Sequence, residues 1–143
     1  MPPDPLNPAS VQRRIRAFLS TGPWAVVGAS TNRSKYGNKV LRCYLQNRMR
    51  PVFPVNPRAK EIEGLAAWPN LGALPEPARA VSIITPPEIT LGVVEEAARL
   101  GISHLWMQPG AESRAVLARA AELGLEPIAG GPCVLVVLGY REE

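Results

Sequence analysis

Ten consecutive residues, Gly28-Ala-Ser-Thr-Asn-Arg-Ser-Lys-Tyr-Gly37, concentrate the side chains best suited to chemistry in this sequence. Gly28 lets the backbone turn sharply and lets a ligand come close. Ser30, Thr31 and Asn32 offer short polar groups and backbone N–H donors, and Arg33 and Lys35 add full positive charges. Beyond Tyr36, Gly37 and Asn38 open a helical pattern, and a helix N-terminus has unpaired N–H groups and partial positive charge. Together these groups suit a diphosphate. The stretch is not the GxGxxG pattern of dinucleotide enzymes, because Ala29 and Ser30 interrupt it.

What such a diphosphate would carry is read further on. Dinucleotide enzymes that use NAD place Asp or Glu after the second strand, to bond the ribose 2′-hydroxyl. Here that place holds Val55-Asn56-Pro57, then Arg58 and Lys60, and no acid occurs from residue 5 to residue 60. A basic pair suits a phosphorylated ribose, as in NADP or coenzyme A. The prolines give a flat apolar slot for adenine.

Reactive groups are few. His104 is the single histidine, and no nucleophile has a His base beside it in the sequence pattern. Cys43 and Cys133 lie 90 residues apart without CxxC spacing, so neither a zinc site nor a disulfide is expected. Glu95 and Glu96 sit on a helical pattern and read as a solvated face.

The elements that must position these residues follow from the apolar pattern. Residues 1–7 hold three prolines and read as an extended tail, with Asn7-Pro8 capping a helix over residues 8–20. Residues 8–143 read as a single domain, a usual size. Trp24–Val27 is a continuous apolar run, the mark of a strand covered on both faces. A helix over Val40, Leu41, Tyr44 and Leu45 follows, then a second strand in residues 51–57, whose prolines suggest an edge. Residues 58–78 read as a connection with one helical turn. Residues 80–85 and 103–108 read as the next strands. Each is followed by a helix, one burying Ile89, Val93, Val94, Ala97 and Ala98, the other Val116, Leu117, Ala120 and Ala121. Leu125–Gly130 and the run Pro132–Gly139 supply the last strand or strands. Strands alternating with helices of this length predict an α/β fold, a doubly wound parallel sheet of about five strands with helices on both faces.

Charge is unevenly spread. Eleven basic residues fall between Pro5 and Lys60, whereas eleven acids and five arginines follow from Glu61 onward. Such a block favours an anionic ligand on the first half. It also admits nucleic acid, but no aromatic stacking motif accompanies it. No apolar run reaches 18 residues, and the first ten residues lack the order of a signal peptide, so the expected compartment is the cytoplasm.

Three segments carry a resemblance. Val26-Val-Gly-Ala-Ser30 with Gly37 downstream, Pro51-Val-Phe-Pro-Val-Asn-Pro57 leading into Glu61-Ile-Glu-Gly64, and Ser82-Ile-Ile-Thr-Pro-Pro87 are similar to the CoA-binding domain. That domain is found in the alpha subunit of succinyl-CoA synthetase, in ADP-forming acyl-CoA synthetases and in small stand-alone proteins. The resemblance spans residues from about 10 to 138 and implies a Rossmann-like fold that binds coenzyme A. Carried over, it implies Gly28, Ala29, Ser30 and Gly37 at the diphosphate. It implies Val55, Asn56 and Pro57 beside the adenosine, with Arg58 or Lys60 near the 3′-phosphate. Thr85, Pro86 and Pro87, and Gln108 with Pro109, would border the remainder. The synthetases act through a phosphohistidine and further domains, whereas His104 opens a strand at its amino end. The expectation is a binding module without catalysis, a carrier, sensor or regulator of CoA or acyl-CoA, with no metal. The alternative is a minimal NADP-dependent oxidoreductase. Cys133, in a glycine-rich turn, is the best candidate for a reactive thiol, one that could form a mixed disulfide with CoA; the plainer reading is a buried small apolar residue.

Overall fold

The computed structural model of the chain describes residues 8–142. The expected tail, the Asn7 cap and Glu143 lie outside the described residues. The chain runs α1 (Pro8–Leu19), β1 (Trp24–Val27), α2 (Tyr36–Gln46), β2 (Val52–Val55), β3 (Glu61–Ile62) and β4 (Leu65–Ala66). A 3-10 turn (Leu71–Ala73) leads to β5 (Ala80–Ile83), α3 (Pro87–Arg99), β6 (His104–Met107), α4 (Arg114–Glu122), β7 (Glu126–Ile128) and α5 (Val134–Leu138).

Five strands form one parallel sheet in the order β2-β1-β5-β6-β7. The chain starts in β1, steps one way to β2, then crosses to β5 and continues outward, so strand order reverses between β1 and β5. This is the predicted doubly wound architecture, and β2 occupies the edge that its prolines suggested. Trp68 extends that edge: its N–H donates to the Pro54 carbonyl at 3.0 Å, and its carbonyl accepts from the Asn56 N–H at 2.9 Å.

Side chains alternate from β1 to opposite faces, which splits the core in two. Ala25 and Val27 face α3 and α4 with Val81, Ile83, Leu105, Met107, Val94, Ala97, Val116 and Ala120. Val26 faces α1, α2 and α5 with Phe18, Val40, Leu41, Tyr44, Trp106 and Val134. Tyr44, fully buried, is satisfied by a 2.6 Å hydrogen bond with Ser82 Oγ.

Four expectations are corrected. The connection after β2 contains a hairpin, β3–β4, as well as the helical turn. Its turn, Glu63-Gly64, has positive φ at both residues (50° and 78°), the geometry of a two-residue loop between right-twisted strands. Residues 134–138 are a helix rather than a strand: Gln108 Oε1 accepts the Val134 N–H at 3.0 Å, and Val136 stands 80% exposed, which a strand with both faces covered would not leave. On α3, Thr90 is buried where Ile89 was expected, because its hydroxyl bonds back to Thr85 O at 3.0 Å and Pro86 O at 3.1 Å. On α4, Val116 and Ala120 face the sheet and Ala121 is exposed.

Candidate ligand-binding site

At the end of β1, Gly28 turns the chain with φ +96°, beside the exit of β5. A Cβ there would meet the Ile84 carbonyl carbon at 3.1 Å. Gly37 is tighter still: its Cβ would fall 2.0 Å from the Gly28 carbonyl oxygen. The first turn of α2 therefore closes directly onto the β1 turn, an approach only glycine permits. No side chain caps α2. The Asn38 and Lys39 N–H groups donate to Lys35 O at 3.1 and 3.2 Å, whereas those of Tyr36 and Gly37 precede the first intrahelical bond and are placed to face an anion.

The loop between the two glycines is held by its own polar groups and by two asparagines. Ser30 Oγ accepts from the Asn32 N–H at 3.0 Å, and Asn32 Oδ1 accepts from the Ser34 N–H at 3.0 Å and its hydroxyl at 2.7 Å. From α2, Asn38 Nδ2 donates to Ser30 O at 2.8 Å and to Glu63 Oε2 at 3.0 Å, while Arg42 Nε donates to Asn38 Oδ1 at 2.6 Å. From the end of β2, Asn56 Nδ2 donates to Ala29 O at 2.9 Å. Its Oδ1 accepts the Arg58 and Ala59 N–H groups at 2.8 and 2.9 Å.

A cavity of about 590 Å³ opens at the carboxyl ends of β1, β2 and β5, where strand order reverses. This is the crevice that ligands use in open parallel sheets. Gly28, Ala29, Ser30, Lys35, Tyr36 and Gly37 form one side, Val55, Asn56 and Pro57 the next, and Thr85 and Pro86 a third. Sequence reasoning had singled out all of these. It had not singled out Pro69 and Asn70 after the hairpin, Ile84, or the α3 side chains Ile89, Val93 and Glu96. The spacing 89, 93, 96 marks one helical face, and Ile89 at 54% exposure is an apolar group held at the cavity rather than in the core. Glu96, expected on a solvated face, is half-buried: its carboxylate accepts from the Leu71 and Gly72 N–H groups at 3.3 and 3.4 Å and lines the cavity.

The sequence candidates Thr31, Asn32, Arg33, Arg58, Lys60, Pro87, Gln108 and Pro109 do not line the cavity. Thr31 is exposed, as are Arg58 and Lys60 on the turn beyond Asn56. Arg33 is ion-paired to Glu63 of the hairpin. The Asn38 amide first, and then Arg33, hold the Glu63 carboxyl below its ordinary value against partial burial. Pro87 begins α3. Gln108 is fully buried behind Tyr36, whose hydroxyl donates to Gln108 Oε1 at 3.2 Å and touches Cys133 Sγ. His104 starts β6 at the amino end of the sheet, opposite the cavity. Among the described residues no group of three His, Cys, Asp or Glu side chains is placed to hold a metal ion. No helix among them is long and apolar enough to cross a membrane.

A parallel sheet whose glycine turn feeds a helix N-terminus at the point of strand reversal defines the doubly wound, Rossmann-like nucleotide-binding class. Within that class the chain belongs to the CoA binding domain family, whose model matches residues 23–139. Over 75 residues it is 35% identical to the ADP-forming acetate–CoA ligase I of Archaeoglobus fulgidus, a match covering 52% of this chain and 11% of the ligase. A conserved hypothetical protein from Pyrococcus furiosus has a solved structure with TM-score 0.74 and 38% identity, covering 80% of this chain and 97% of that one. A hypothetical protein from Pyrococcus horikoshii superimposes with TM-score 0.82 at 26% identity, covering 95% and 94%.

Proposed function

We propose that the chain binds coenzyme A, or an acyl-CoA, in the cavity at the carboxyl ends of the strands, and acts as a carrier, sensor or regulatory module without catalysis of its own. The observation that carries this reading is the closure of Gly37 onto Gly28, which sets an uncapped helix start and Lys35 against the cavity. The diphosphate would sit there, on backbone N–H groups and one ammonium. The adenosine would lie between Val55–Pro57 and Thr85–Pro86, against the apolar wall of Pro69, Ile89 and Val93. Arg58 and Lys60 are exposed on the turn that follows Asn56 and Pro57 of the cavity wall, and a 3′-phosphate reaching out of the cavity would meet them there.

The test is calorimetric titration with CoA, dephospho-CoA, NAD and NADP. Binding of CoA that weakens about tenfold or more without the 3′-phosphate, one charge-assisted contact's worth, is the expected result. Substituting both Arg58 and Lys60 by Ala should abolish that discrimination. Clear binding of NADP with none of CoA would overturn the reading in favour of a reductase.

A further inference from the structure

Behind the cavity wall lies a cluster that diphosphate binding does not use. Tyr36 links the two: the residue lines the cavity, and its hydroxyl contacts both Gln108 Oε1 and Cys133 Sγ. Gln108 Oε1 also accepts the Val134 N–H, which fixes the carboxamide's orientation. Its Nε2 is then left without an acceptor, the single buried side-chain nitrogen so placed among the described residues. A buried amide donor is costly unless something meets it. Cys133 itself is partly exposed, and the space around Gly131 just before it is open.

We propose that Cys133 is a thiol–disulfide exchange site for coenzyme A, at which the pantetheine sulfur becomes disulfide-bonded to the chain. The proposal rests on the CoA reading above. The Cys133 thiolate attacks one sulfur of a CoA disulfide; the new Cys133–CoA bond forms as the CoA–CoA bond breaks. One CoA leaves as its thiolate and takes up the proton that Cys133 gave up. Cys133 is oxidised and the departing CoA reduced, with the CoA disulfide as the oxidant. Excess thiol reverses the step. The arm next to the CoA sulfur carries amide carbonyls, the acceptor that Gln108 Nε2 lacks. Tyr36, a positioning residue, stays protonated because burial and the Cys133 contact raise its pKa; when Cys133 gives up its proton, the hydroxyl can turn its one hydrogen from Gln108 Oε1 to the thiolate. Cys43 is an internal control. It is fully buried, its Sγ donates to Val134 O at 3.7 Å, and burial pushes its pKa to about 11, so it offers little thiolate.

The experiment incubates the pre-reduced full chain with 50 µM CoA disulfide or glutathione disulfide and follows intact mass, with peptide mapping of the product. A bound disulfide reaches Cys133 at an effective concentration of about 1 mM, so CoA disulfide should react roughly twentyfold faster than glutathione disulfide at 50 µM. One adduct is expected, on Cys133, released by dithiothreitol and absent from Cys133→Ser. Tyr36→Phe should slow the exchange while leaving the site of modification unchanged. Equal rates with the two disulfides, modification of Cys43 instead, or no adduct would overturn the proposal. Titration of the reduced chain with reduced CoA separates the two failures: binding without preferential exchange refutes only the thiol chemistry, and absent binding refutes the CoA reading as well.

Discussion

Gly37→Ala is the sharpest perturbation of the binding turn. The new methyl would begin 2.0 Å from the Gly28 carbonyl oxygen, where real contacts hold to at least 3.0 Å, so helix and turn must part by about 1 Å. Neither side yields easily, because both atoms at the approach are fixed through backbone. A retreat of that size also stretches the 2.8 Å bond from Asn38 Nδ2 to Ser30 O beyond hydrogen-bonding range. Overpacking costs about 1–3 kcal/mol and the lost bond about 1 kcal/mol. Alanine's better helix propensity returns less than about 1 kcal/mol. The net is a loss of about 2–3 kcal/mol, or roughly 4–12 °C in Tm for a chain of this size. The first-turn N–H groups move with the helix, and losing one charge-assisted bond of about 1.5–3 kcal/mol weakens CoA roughly 10- to 100-fold. Gly92→Ala supplies the contrast. It sits inside α3 with nothing within 4 Å of an added Cβ, so the same change there should raise stability by up to about 1 kcal/mol. Thermal unfolding by circular dichroism and CoA titration of both variants decide the matter. A Gly37→Ala chain with wild-type Tm and wild-type affinity would refute the close-approach argument.

Asn56→Ala removes a donor to Ala29 O and an acceptor for two N–H groups, and should cost about 1–3 kcal/mol in urea unfolding together with about tenfold in CoA affinity. Glu63 has a depressed folded pKa, so its contribution is complete above the ordinary value of 4.5 and is lost as pH falls toward the folded value. Urea midpoints measured down through pH 4 should therefore fall more steeply for the wild type than for Glu63→Gln, with no more than about 1 kcal/mol at stake because Arg33 is half exposed. Equal slopes would remove Glu63 from the account. In a thiol titration at pH 8, the native chain should show one accessible thiol, Cys133, and reveal Cys43 only on unfolding. Two fast thiols would contradict the burial of Cys43.

The sheet was legible because its strands are continuous apolar runs punctuated by glycine and proline, and burial on both faces requires that pattern. The site's backbone was legible for a related reason: Gly28, Asn56 and Pro57 stand at the strand ends and Gly37 at the following helix start, where a parallel sheet places its crevice. The hairpin was not, since two-residue strands carry no period and Glu63 is an unusual occupant of a positive-φ position. Residues 134–138 are apolar throughout, which leaves strand and helix indistinguishable by periodicity. A hydrogen bond from Val134 to Gln108, 26 positions earlier, favours the helix. Glu96 and Asn70 join the cavity from elements far apart in the chain, so no local pattern marks them.

The basic first half shows how far a charge count can be taken. Eleven cations without an acid suggest a positive surface, yet several are committed within the fold. Arg42 is buried, bonded to Asn38 and to Arg33 O, and placed 5.5 Å over the Tyr140 ring. Arg33 pairs with Glu63, Arg14 donates to Pro127 O at 2.9 Å, and Lys39 lies 3.7 Å from Glu142. The acids of the second half thus return to the basic half through the tertiary structure. That weakens the case for a continuous polyanion such as nucleic acid, which needs many uncommitted cations along one face. It favours a ligand held chiefly by apolar walls and backbone N–H groups with one or two cations at its phosphates. Salt dependence separates the two: affinity for such a ligand should fall only shallowly between 50 and 200 mM salt, whereas a surface making 6–10 phosphate contacts would lose about a thousandfold or more over that range.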